Sequence, residues 1–194
     1  METRSQELKK KMEDADKRGI EISKDFFTTI LNKDKNGKPI EYNFETIEGT
    51  GYRFDFLVTA TTEDKEYYFV VEVKIRNVDE CKKEWDDIMM EEVKWDAQFQ
   101  YDAKYRPLYF NVENPKDNNK IPLSVSIFDL ISIRGHLGEM RYNKTWAPKR
   151  SVKENEDEEL EYEWKKTYFL PKFNKRYNKY YRWDADEQTF VMTR

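Results

Sequence analysis

The chain of 194 residues has one cysteine, Cys81, and one histidine, His136. A lone cysteine forms no internal disulfide, which suits a reducing cytoplasm. With one residue of each kind, there are almost no parts for a zinc cage or a Cys/His nucleophile pair. His136, in RGHLGEM, reads as a loop residue. Any catalytic apparatus has to come from carboxylates, lysine and tyrosine. No apolar run reaches about 18 residues, so no membrane span is expected. The segment METRSQELKKKMEDADKR carries no apolar signal core, and secretion is not expected. The expected location is therefore cytoplasmic.

Leucine and valine are also sparse. Rings take their place: 13 Tyr, 12 Phe and 5 Trp have to supply much of the core. That aromatic content argues against disorder, even though 38% of the residues are charged. The length suits one domain with an appended part. Residues 1–150 read as a core domain. Residues 151–194 read as an acidic linker followed by a basic, aromatic extension that packs on the core.

The net charge of −4 speaks weakly against a nucleic-acid partner, but the distribution speaks differently. Residues 41–103 hold 7 Lys/Arg against 17 Asp/Glu, and residues 104–153 hold 10 against 4. From Lys165 to Trp183 there are seven bases and no acid. An acidic region is thus followed by a basic one.

Leu8, Met12, Ala15, Gly19, Ile22, Phe26 and Ile30 recur at helical spacing, which predicts a helix over 4–31 that Gly19 would weaken or break. Turn residues in NKDKNGKP end it. Three strands follow, IEYNFETIEG, YRFDFLVTA and EYYFVVEVKIRNV, and their short connections predict an antiparallel meander. Cys81, Trp85, Ile88, Met89 and Phe99 form a stripe that predicts a helix over 79–104, with Glu92 and Asp96 at its edge. RPLYFNVEN reads as a strand, and LSVSIFDLISI as a strand or short helix. SVKENEDEELEYE reads as a mobile acidic loop or hinge.

The third strand poses a chemical question. Alternation puts Phe69, Val71, Val73 and Ile75 on one face, and Val70, Glu72, Lys74 and Arg76 on the other. Apolar flanks imply that both faces are covered, where an ionised side chain needs compensation. Either Glu72 and Lys74 pair with neighbours, or Glu72 binds a cation. Asp55, between Phe54 and Phe56, is a second charge in an aromatic strand. If the two strands are adjacent, Asp55 and Glu72 meet on one face, where mutual repulsion favours a divalent cation. Few carboxylates plus several waters is the usual way of holding Mg²⁺.

YRFDFLVTA followed by YYFVVEVKIRN resembles the core of the PD-(D/E)xK nuclease superfamily, whose motif is an aspartate on one strand and acid-x-Lys on the next. The resemblance covers roughly residues 4–112. It implies an α/β fold: an αβββαβ restriction-endonuclease-like core with a mixed central sheet flanked by helices, here with an aromatic-rich C-terminal extension. It also implies that Asp55 and Glu72, aided by the Val73 carbonyl, ligate Mg²⁺ or Mn²⁺, while Lys74 positions the attacking water. Many members carry a further acid on the first helix, and Glu21 and Asp25 are the candidates. Both point away from the apolar stripe, which also suits solvated helix charges. Gln98 and Tyr101 resemble an accessory pair found on the later helix of a RecB-like branch, and also suit an ordinary helix surface.

Lys165, Lys166, Lys172, Lys175, Arg176, Lys179 and Arg182 alternate with aromatics. Such bases neutralise phosphates while rings stack on exposed nucleobases, and the same pattern suits aromatic core positions with lysines solvating the outside. Residues 154–163 would shield this patch in the absence of substrate. The expected activity is phosphodiester hydrolysis with nucleic acid as partner, DNA before RNA. Paired cuts in a duplex would require a homodimer. The competing expectations are a catalytically inactive nucleic-acid-binding protein on the same fold and a protein-interaction module.

Overall fold

The computed structural model describes residues 4–47, 54–78, 87–115, 122–135, 145–154 and 160–193. Its first element, α1 (Arg4–Thr29), runs unbroken through Gly19. Gly19 is there for close approach: a Cβ at this position would lie 3.2 Å from Val73 Cγ1. A tight helix–sheet contact, absent from any local rule, therefore outweighs the helix cost of glycine.

The meander forms as expected. β1 (Glu41–Thr46), β2 (Phe56–Thr61) and β3 (Glu66–Val78) pair antiparallel in sequence order. β2 begins later than the aromatic pattern suggests, and Asp55 sits in the bend before it. The helix expected over 79–104 is not what forms among the described residues. β4 (Asp87–Glu91) comes first, and only α2 (Glu92–Gln100) is helical. Ile88 and Met90 alternate inward on β4, a period of two that the helical reading of Ile88 and Met89 missed. Cys81, Trp85 and His136 lie outside the described residues.

After α2, β5 (Arg106–Pro115) returns parallel to β3, so α2 lies on a crossover connection. β6 (Ser124–Asp129) and the short α3 (Leu130–Gly135) divide LSVSIFDLISI between strand and helix. β7 (Thr145–Glu154) and β8 (Leu160–Pro171) pair antiparallel, so both flanks of the acidic run are strand rather than loop. β9 (Asn178–Asp184) and β10 (Thr189–Met192) complete the chain.

The result is an α/β fold with a mixed seven-stranded sheet, ordered β1-β2-β3-β5-β6-β9-β10, and a three-stranded sheet, β4-β8-β7. α1 covers one face of the large sheet. Phe26 and Phe27 pack there on Phe56, Val71, Val73 and Phe110. The other face meets the small sheet and the shorter helices through Ile88, Met90, Trp95, Tyr109, Phe128 and Leu170. Rings carry much of this packing: Phe26 makes edge contacts with Phe110, Tyr181 and Phe190. Among the described residues no helix is long and apolar enough to cross a membrane.

Candidate functional site

β3 is buried on both faces at Glu72. Val71 and Val73 face α1, while Glu72, only 5% exposed, faces the opposite side. The β2–β3 register pairs Phe56 with Val71, so Asp55, one step earlier, falls opposite Glu72. Asp55 is fixed there by two hydrogen bonds to β3. Its N–H donates to the Val71 carbonyl at 2.9 Å, and its Oδ2 accepts from the Val73 N–H at 2.6 Å. The carboxylate thus continues the ladder where β2 stops pairing. Beside it, buried Phe54 meets Tyr101 edge-on at 4.8 Å, which pins the bend that presents Asp55.

The counter-charge comes from α2. Lys94 Nζ lies 2.9 Å from Glu72 Oε1 and donates to Oε2 at 3.1 Å. Its charge also acts on Asp55, so one ammonium faces two acids. This is incomplete compensation. Burial and the neighbouring Asp55 charge push the Glu72 carboxyl up to about 8, against the pull of Lys94 and Lys74. Burial likewise raises Asp55, opposed by the Val73 N–H and Lys94, and the carboxylate of Asp16 on α1 adds to the rise. Lys74 is exposed at the rim, opposite Asn111 of β5, and its charge favours the ionised form of both acids.

Glu21 and Asp25 are exposed on α1. The first-helix acid that Asp55 feels is Asp16, one turn before the Gly19 contact with β3. Gln98 is buried one turn after Lys94, and neither polar atom of its amide has a hydrogen-bond partner among the described residues. Tyr101 follows the end of α2 and packs on Phe54 and Tyr105 rather than on solvent. Sequence reasoning missed Lys94 and Asp16. Lys94 carried a signal, being the single base between Lys83 and Lys104 in a stretch with seven acids.

The basic C-terminal set is not one patch. Lys172 is fully buried and pairs with Glu113 of β5 at 2.6 Å, so it reaches no phosphate. The Lys165 side chain lies outside the described residues, and Lys166 is exposed on β8. Lys175 and Arg176 sit in the exposed turn before β9. On β9 the alternation separates Lys179, register partner of Ile127, from Arg182, register partner of Ser124. Lys179 therefore shares the α1 face of the sheet, and Arg182 shares the Glu72 face.

A small hard cation suits this donor set, which offers Asp55, Glu72 and the Val73 carbonyl. The position already draws a cation, the Lys94 ammonium. Among the described residues there is no group of three or more His, Cys, Asp or Glu side chains able to hold a metal. No family model, curated protein or solved structure matches the chain.

Proposed function

We propose that the protein is a metal-dependent nuclease of the PD-(D/E)xK type, hydrolysing phosphodiester bonds in DNA before RNA. The observation that carries this reading is the pair Asp55 and Glu72. Two carboxylates face each other at one register position, both raised by burial, with exposed Lys74 next along the strand. Such an arrangement is costly for stability and useful for chemistry. The order α1-β1-β2-β3-α2-β5, with β5 parallel to β3, supports the finer fold reading, and β4 stands as an insertion before α2.

A bound Mg²⁺ or Mn²⁺ would stabilise the charge that builds on the scissile phosphate. Asp55, Glu72 and the Val73 carbonyl hold that ion. Lys74 orients the attacking water from the rim. Lys94 partly offsets the charge of the two acids at the position the ion would take. Arg182, on the same face as Glu72, contacts the nucleic-acid backbone. Incubating the protein with single- and double-stranded DNA and RNA, in Mg²⁺, Mn²⁺ or EDTA, tests the proposal. Cleavage is expected with either metal, and loss of cleavage with EDTA, Asp55→Asn or Lys74→Ala. Undiminished cutting by both variants would overturn the assignment.

One observation favours a second reading. Lys94 satisfies both oxygens of Glu72 without a metal. On that reading the protein is a catalytically inactive nucleic-acid-binding protein, and the same incubation gives salt-dependent binding with no products.

A further inference from the structure

On the α1 face of the large sheet, past the end of α1, lies a cleft of about 670 Å³. Glu72 lies on the opposite face, so the sheet separates the cleft from the carboxylate pair. The floor is apolar, with Leu31, Phe69, Leu108 and Ile127. The rim is cationic: Lys33 and Lys35 come from the loop after α1, Lys65 from the β2–β3 turn, and Lys175 and Lys179 from the segment entering β9.

These lysines stand on ordered backbone. In the loop after α1, Asp34 N–H donates to the Lys38 carbonyl at 2.8 Å and Ile40 N–H to the Asn32 carbonyl at 2.9 Å. In the hairpin turn, Thr62 N–H donates to the Lys65 carbonyl at 2.8 Å. Two of the acids lining the cleft are held by neighbours, and only Asp129 is neutralised by an ion pair. Asp34 accepts from the N–H groups of Asn36 and Lys38 at 2.8 and 2.9 Å, and Asp129 pairs with Arg106. Asp34 and Asp64 are left to set against five lysines, which have no ion pair among the described residues. Like charges converging from three segments repel one another, and an anion relieves that repulsion. Tyr67, 48% exposed, adds a ring at the rim.

We infer that this cleft binds a nucleotide, its phosphates held between the lysines and its base resting on the apolar floor beside Tyr67. The shared chemistry is a phosphorylated nucleoside, whether free or as the terminus of a single strand. The site does not depend on the nuclease reading.

Calorimetric titration in EDTA at low salt tests it, using ATP, inorganic tripolyphosphate and 5′-phosphorylated hexathymidylate. ATP is expected to bind. Lys65→Ala and Lys179→Ala, both at exposed positions, should each weaken binding by about tenfold, the size of one lost charge-assisted contact. Asp55→Asn should leave binding unchanged, which separates this site from the carboxylate pair. Tripolyphosphate should bind about tenfold more weakly than ATP, having nothing to place on the floor. Hexathymidylate binding tighter than ATP identifies a strand terminus as the occupant, and the reverse order identifies a free nucleotide. Equal affinity for tripolyphosphate and ATP would overturn the nucleotide assignment. No binding by any probe, or binding indifferent to both lysine replacements, would overturn the site itself.

Discussion

Glu72 and Lys94 carry the sharpest consequences at the scale of single residues. The Glu72 carboxyl is raised from 4.5 to about 8 in the folded chain, because burial and Asp55 disfavour its charge. Below about pH 4.5 it is protonated in both folded and unfolded chains, and it contributes no pH dependence. Between about 4.5 and 8 the unfolded chain releases a proton that the folded chain keeps, so metal-free stability falls as pH rises. Glu72→Gln removes this titration. Its stability relative to the parent should climb through that window, by on the order of a few kcal/mol, and level off above it. Urea denaturation in EDTA at pH 5, 6.5 and 8 checks this, and a flat difference would contradict the burial argument. Lys94 competes for the position that a metal would take. Lys94→Met should therefore tighten Mn²⁺ binding by about tenfold, read by calorimetry, whereas weaker binding would make Lys94 a support for the ion rather than its rival.

Among the elements, the contact between α1 and β3 decides where the site sits. Gly19 lets the helix lie against Val73 and Ile75, and that contact places Asp16 where Asp55 feels its charge. Gly19→Ala sets a better helix former against a contact of 3.2 Å and should be close to neutral. Gly19→Val forces two more carbons into the same gap and should cost about 1–3 kcal/mol in urea denaturation, with reduced metal affinity as β3 shifts. Unchanged stability would mean that the helix can ride outward freely. Element boundaries were legible where patterns are local. EYYFVVEVKIRNV is β3 to the residue, because alternation of this length has one reading. β4 was not legible, because its five residues take strand form by pairing with β8, with Asp87 opposite Pro171.

For the whole molecule, the Lys172–Glu113 pair ties the turn after β8 into the large sheet. Lys172 also stands over the rings of Phe173 and Tyr180, and Ser124 Oγ donates to Glu113. Lys172→Met should cost about 3–5 kcal/mol, because it leaves the buried Glu113 carboxylate without its counter-ion. Adding Glu113→Gln should recover part of that loss in a double-mutant cycle. Nucleic-acid affinity per folded molecule should stay unchanged in both variants. A drop in affinity without a drop in stability would return Lys172 to the surface role that its sequence neighbours suggest.

The sequence by itself determined the meander and the two faces of β3. Each follows from a period of two and from short connections, which neighbouring residues impose on one another. Only the tertiary structure decided that Lys94 caps that pair, that Asp16 is the helix acid near it, and that Lys172 is buried. It also decided that Lys179 and Arg182, three residues apart, face opposite sides of one sheet. These outcomes depend on partners distant in the chain, as in the β4–β8 and β6–β9 pairings, and no local pattern encodes which strand will lie alongside.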